Sequence, residues 1–301
     1  MKHDLIIKGG KLVTANETFA ADIGVKDGRI ATLGENLDGN DVINADNKLV
    51  MPGGIEAHCH IAQESANGIM TSDDYESGSI SAAFGGNSCF VPFAAQKKGE
   101  SIAATIAEYD RRAETKSVID YSYHLILTDP NKEVLDELPS AFERGITSFK
   151  VFMTYATRVS DAQFLDILTV ARRHGGLTMV HAENHDMLSW MSNALTQGGY
   201  TEPRYHAPAR PSLAEEEAIN RAISLSKLAN APLMIVHVST PKGAELVARA
   251  RMDGAFVFGE TCPQYLFLTR DDIDRPNLEG AKYICSPPLR DVSTQEALWR
   301  H

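Results

Sequence analysis

The stretch Pro52-Gly53-Gly54-Ile55-Glu56-Ala57-His58-Cys59-His60-Ile61 places two histidines one residue apart, straight after a Pro-Gly-Gly turn. On a β-strand, side chains alternate faces with a period of two residues. His58 and His60 then project to one side and Cys59 to the other. Two imidazoles side by side suit a metal ion, and they equally suit ordinary polar roles. The surrounding sequence has to separate these readings.

Downstream of this stretch, short apolar runs alternate with helix-like segments. Candidate strands fall at 54–60, 88–94, 121–127, 147–153, 177–183, 233–239 and 255–261. Helical patterns fill 101–113, 161–174, 213–229 and 242–252, with Ser212 as a candidate N-cap and Glu215, Glu216 and Glu217 in the first turn after it, where the helix dipole favours acids. Strand then helix, repeated, predicts a parallel sheet covered by helices. Seven repeats without a glycine-rich phosphate fingerprint predict a (β/α) barrel of the TIM type over 52–301.

Upstream, residues 1–51 read as a small β-module. Asp22-Ile23-Gly24-Val25 and Arg29-Ile30-Ala31-Thr32-Leu33 flank Lys26-Asp27-Gly28, a hairpin signal. Leu5-Ile6-Ile7, Lys11-Leu12-Val13, Asp41-Val42-Ile43 and Lys48-Leu49-Val50-Met51 continue the pattern.

The bulk properties bound the function. A chain of 301 residues accommodates one large domain and a small one. A net charge of −11 argues against nucleic acid, which needs a basic footprint. No apolar run approaches the roughly 20 residues that span a bilayer. The start, Met1-Lys2-His3-Asp4-Leu5, enters a strand-like segment directly and predicts no signal peptide. Cys59, Cys89, Cys262 and Cys285 form no CxxC pair; a reduced cytoplasmic protein with four small, buried thiols is the simplest expectation.

In such a barrel, chemistry sits at the C-terminal ends of the strands. The first run ends in His58-Cys59-His60. The fourth, Ser148-Phe149-Lys150-Val151-Phe152-Met153, carries a lysine in an apolar strand. The fifth and sixth carry His181 and His237 near their ends. Taken singly, each is more often a hydrogen-bonded core or rim residue. Taken together, five such residues converge on one mouth. His3 and His301 are terminal, His174 sits at a helix end, His185 and His206 fall in loops, and His124 reads as core or as support for the site. Four neutral imidazoles suit zinc or a similar borderline metal. Split into two pairs, they leave each ion open and call for an anionic bridge. A lysine in an apolar strand has a lowered pKa, and its neutral amine can react with carbon dioxide to give a carbamate.

The order His-x-His, lysine, histidine, histidine on successive strands resembles the amidohydrolase superfamily, and within it cyclic amidohydrolases of the dihydropyrimidinase and hydantoinase type. Pro52 to His60, Ser148 to Tyr155, Val180-His181-Ala182-Glu183, Ile235 to Ser239, Glu260-Thr261-Cys262-Pro263-Gln264-Tyr265 and Cys285-Ser286-Pro287-Pro288-Leu289-Arg290 carry the resemblance. It implies two Zn²⁺ per subunit. His58 and His60 would hold one, His181 and His237 the other, with N6-carboxylated Lys150 as bridge. It further implies that Tyr155 donates a hydrogen bond to the developing oxyanion, that Ser286 meets the cyclic amide of a small-molecule substrate, and that the chain assembles as a homotetramer. The β-module would then be part of a β-sandwich.

The same resemblance implies an eighth strand ending in an aspartate, a C-terminal asparagine that contacts substrate, and a return segment that completes the sandwich. The sequence carries none of these, which predicts a C-terminally truncated barrel with impaired activity and stability. The polar, small loop Ala62-Gln63-Glu64-Ser65-Ala66-Asn67-Gly68 favours a small polar ring such as dihydrouracil or dihydrothymine. Ala62 stands where a dihydroorotase-like enzyme carries arginine, which argues against that activity. An allantoinase-like enzyme and a non-catalytic scaffold of the same ancestry are the alternatives.

Overall fold

The computed structural model describes residues 2–65 and 68–301. Met1 and, from the loop read above as favouring a small ring, Ala66 and Asn67 lie outside the described residues. The chain divides into two compact units, Met1–Ile55 with Ala82–Cys89, and Glu56–Ser81 with Phe90–His301.

The first unit is all β apart from the end of one helix. A four-stranded sheet runs in the order Arg29–Gly34, Asp22–Lys26, His3–Lys8, Gly39–Asn44, and a three-stranded sheet in the order Thr18–Ala20, Lys11–Val13, Leu49–Val50. The hairpin at Lys26-Asp27-Gly28 forms as the sequence predicts. Asp27 and Gly28 both take positive φ, 51° and 70°, which matches the twist of the flanking strands. His3, although near the chain start, is buried, with Nε2 2.9 Å from Thr32 Oγ1 and Nδ1 3.1 Å from the Asp38 carbonyl.

The second unit is built on a parallel sheet. Asn87–Ala95, His124–Ile126, Ser148–Phe152, Leu177–His181, Leu233–Ile235 and Val257–Gly259 pair in that order, each parallel to the next, and Gly54–Cys59 pairs with Asn87–Ala95. All seven predicted strand runs are present. The third is interrupted: Asp120–Tyr121 and His124–Ile126 are separate pieces, and the Ser122 amide between them still bonds the Phe90 carbonyl of the neighbouring strand. Among the described residues, Gly54–Cys59 and Val257–Gly259 are not paired with each other.

Helices cover the sheet with apolar residues three and four apart. Ile102, Ile106, Tyr109 and Ala113 form the buried face of Ile102–Ala113; Phe164, Ile167, Leu168 and Ala171 form that of Asp161–Arg173. Each large aliphatic or aromatic side chain buried this way contributes about 1.5–3 kcal/mol. Ser101 caps the first of these helices by accepting from the Ala104 amide, and Ser160 with Gln163 forms a capping box on the second.

Two local expectations change. Ser212 is not the cap of its helix but its first residue, in Ser212–Ala229, with Pro211 at the N-cap position. Glu215 does not simply face the dipole. It is buried and accepts from the Ser239 amide at 2.7 Å and from Arg290 Nη2 at 3.0 Å. Helices Tyr75–Phe84, Lys132–Glu143 and His185–Gln197 escaped the sequence reading. Lys132–Glu143 has an apolar stripe at Val134, Leu138 and Ala141 but contains Pro139, a residue that argues against a helix interior, and His185–Gln197 buries only Leu188. None of the four cysteines is fully buried, contrary to expectation; Cys262 and Cys285 line the cavity described next. The last helix among the described residues is Val292–Leu298. No helix among the described residues is long and apolar enough to cross a membrane.

Candidate metal centre

His58, His60, Lys150, His181 and His237 line one cavity of about 500 Å³, at the C-terminal ends of four strands. His58 and His181 lie within their strands. His60 and His237 lie just past theirs, because the sheet pairing stops at Cys59 and Ile235. His237 takes a left-handed φ of 45°, an uncommon conformation for a non-glycine residue. It is held there by the Glu260 carboxylate, which accepts from its backbone amide at 3.3 Å. Ring centroids stand 5.8 Å apart for His58 and His60, 5.3 Å for His58 and His237, and 4.6 Å for His181 and His237.

Most of these imidazoles have one nitrogen committed. His58 Nδ1 is 2.6 Å from Glu260 Oε2, His181 Nε2 is 2.6 Å from Glu183 Oε2, and His60 Nδ1 is 2.6 Å from Gln63 Oε1. An imidazole that gives one N–H to an acceptor presents a lone pair on the other nitrogen, the arrangement that orients histidine ligands in metal sites. Burial lowers the His181 pKa against the opposing Glu183 carboxylate, and burial first, then the neighbouring Lys150, lowers that of His237 well below the usual range. Both rings are thereby neutral, as ligation requires.

Lys150 is fully buried, and its Nζ has no hydrogen-bond partner. It sits 4.8 Å from the Phe93 ring centre and 5.5 Å from that of Phe152. Burial brings its pKa down to about 7, against the opposing pull of Glu260. His237 Nδ1 is a second buried atom without a partner. Buried polar atoms are ordinarily satisfied. Two orphans, an amine and an imidazole nitrogen, share a cavity with three imidazoles that each have a nitrogen to spare, a donor set that suits a borderline cation. Among the described residues, no three His, Cys, Asp or Glu side chains are already gathered at coordinating positions.

Tyr155 and Ser286 line the same cavity. Tyr155 has φ of 70°, its backbone held by Arg158, whose Nη1 donates to the Tyr155 carbonyl at 3.0 Å. Burial raises the phenol pKa, opposed by Arg210 and by hydrogen bonding to Ser286 and Arg210. Ser286 Oγ is 3.5 Å from His206 Nε2, which also meets the Cys285 carbonyl at 2.7 Å. His206, read from sequence as a loop residue, opens the short helix His206–Ala209 and braces this segment. His185 starts a helix rather than lying in a loop. His124 supports the sheet: Nδ1 meets Ser148 Oγ, Nε2 is 3.0 Å from the Ala57 carbonyl, and burial lowers its pKa to about 4.

Sequence reasoning missed the residues that hold the imidazoles. Glu183 was legible in principle, two positions after His181 and therefore near the same face. Glu260, Gln63 and Arg210 were not, because their contacts span distant segments or an irregular loop.

No protein-family model matches the chain. The chain is 44% identical over 299 residues to the D-hydantoinase of Geobacillus stearothermophilus, covering 98% of this chain and 63% of that one. It is 42% identical over 299 residues to the D-hydantoinase of Rhizobium radiobacter, covering 98% and 65%. Its structure superposes on the crystal structure of dihydropyrimidinase from Brevibacillus agri with a TM-score of 0.95 at 42% identity, over 99% of this chain and 65% of that one. The chain thus spans somewhat under two thirds of the length of these relatives.

Proposed function

Because the chain belongs to the family of hydantoinase- and dihydropyrimidinase-type cyclic amidohydrolases, we propose that it hydrolyses the ring C–N bond of hydantoins or dihydropyrimidines. The proposal assigns two zinc ions to the centre, one to His58 and His60, the other to His181 and His237. Lys150, carboxylated on Nζ, would bridge them. When bound, a zinc pair lowers the pKa of a water molecule and polarises an amide carbonyl.

The remaining work falls to side chains. The Lys150 amine, neutral over part of the physiological range because it is buried, can attack carbon dioxide and release a proton, leaving an anionic carbamate. Glu183, Glu260 and Gln63 each hold one imidazole by one nitrogen. Tyr155, kept protonated by burial, donates a hydrogen bond to the substrate carbonyl oxygen as charge develops on it. Ser286 meets the cyclic amide and sets the ring's orientation. Gln63, Glu64 and Ser65 line a neighbouring cavity of about 880 Å³ that shares Phe152 and Tyr155 with the first. A homotetramer in the cytoplasm belongs to the same proposal, on the strength of the family resemblance.

The observation that carries this reading is the orphaned Lys150 amine among four histidines. Metal analysis together with a hydrolysis screen over dihydrouracil, hydantoin, allantoin and dihydroorotate tests it. Two equivalents of zinc and turnover of either of the first two support it. A chain that takes up no zinc and opens none of the four rings is a scaffold.

A further inference from the structure

Arg210 lies between the two halves of this site. Its Nη1 donates to Glu183 Oε2, the same oxygen that meets His181 Nε2. Its guanidinium carbon stands 5.3 Å from the centre of the Tyr155 ring. The Glu183 side chain is 1% exposed and that of Arg210 15%, so the pair is shielded from solvent. A buried carboxylate holds a fixed orientation only while its partners do.

The Arg210 backbone is anchored independently. Arg290 Nη1 donates to the Arg210 carbonyl at 2.6 Å, and Arg290 is itself held by Glu215 and by Ser239 Oγ, each at 3.0 Å. A rigid planar fork with a fixed base can serve two acceptors at once, a carboxylate along one edge and an aromatic ring against its plane. Lysine cannot do both, because its ammonium is a single flexible point charge.

We propose that Arg210 is a positioning residue for both parts of the centre: through Glu183 it fixes the His181 ring, and by direct contact it fixes the Tyr155 ring. The proposal rests on the zinc-centre reading above. It assigns Arg210 no contact with the substrate.

The test compares the parent chain with Arg210→Gln, Arg210→Lys, Tyr155→Phe and the Arg210→Gln, Tyr155→Phe double variant, each checked by circular dichroism for a retained fold. Zinc affinity is measured by chelator competition, and kcat and KM with the ring that the screen identifies. We expect Arg210→Gln to weaken zinc binding about 10-fold, in the range seen when groups behind a metal ligand are removed, whereas Tyr155→Phe leaves it unchanged. Arg210→Lys should bind zinc within about threefold of the parent, since a cation still faces Glu183, yet keep the low kcat of Arg210→Gln. The kcat loss from Arg210→Gln should shrink when Tyr155→Phe is already present, as coupled residues require. Unchanged zinc affinity in folded Arg210→Gln overturns the proposal, as does an equal fractional kcat loss with and without Tyr155→Phe. The zinc arm needs no turnover and decides the case alone if the parent is inactive. A parent chain that binds no zinc overturns the zinc-centre reading itself, which is a distinct result.

Discussion

His58 Nδ1 stands 2.6 Å from Glu260 Oε2, a contact between residues 202 positions apart. It links the first strand of the parallel sheet, Gly54–Cys59, to the segment that follows the seventh, Val257–Gly259. Burial raises the Glu260 pKa, but hydrogen bonds from the His58 ring and the His237 backbone amide, together with the nearby Lys150, outweigh this and leave the carboxyl below its usual value. Glu260→Ala should therefore release the His58 ring and weaken zinc binding by about 10–100-fold while the fold persists. Chelator competition at constant helical circular dichroism measures this. Parent-like affinity would mean that the contact has no part in the centre.

Lys150→Ala removes the buried amine and with it the proposed bridge. Bound zinc should fall to a small fraction of the parent value, measured by elemental analysis after gel filtration. Alanine also leaves a cavity, so Lys150→Met, closer in volume, serves as control and should lose the metal equally. Full zinc in either variant ends the bridging role.

Tyr155→Phe keeps the ring between Phe152 and His181, whose centroids lie 5.9 and 5.1 Å from that of Tyr155. Only the hydroxyl is lost. Turnover should drop about 10²-fold or more, as when one donor to an oxyanion is removed, with zinc content intact. An undiminished kcat would take the phenol out of the chemistry.

Lys150 also predicts a pH dependence for the metal-free chain in buffer free of carbon dioxide. In the folded protein its pKa is about 7, below the ordinary value of 10.5. Between these values the unfolded chain holds a proton that the folded chain has lost, so stability rises with pH across this window. Below about pH 7 both states are protonated and the cost of burying an ammonium is fully present. The parent should gain on Lys150→Met by on the order of 1 kcal/mol per pH unit between pH 7 and 9. Urea midpoints for both proteins at the two pH values test this, and parallel curves would show that the amine reaches solvent.

The strand-helix rhythm, the hairpin at Asp27-Gly28 and the five candidate ligands were legible because each leaves a local mark. A strand shows apolar residues and a polar end; a I′-type turn shows residues that accept positive φ. The helices Lys132–Glu143 and His185–Gln197 are harder to read, the first because Pro139 sits inside its apolar repeat and the second because it buries a single residue. The grouping of ligands was inferred only from their matching positions along successive strands.

Sequence by itself determined the alternation that makes a parallel sheet and the placing of four histidines and a lysine at its strand ends, because periodicity and residue chemistry are properties of short stretches. Tertiary structure alone decided that His58 meets Glu260, that Gln63 turns back on His60, that Glu183 is shared between His181 and Arg210, and that Lys150 Nζ is left without a partner. Those facts depend on which side chains reach one another once the sheet curls and water is excluded. No local pattern encodes a hydrogen bond between segments that are distant along the chain.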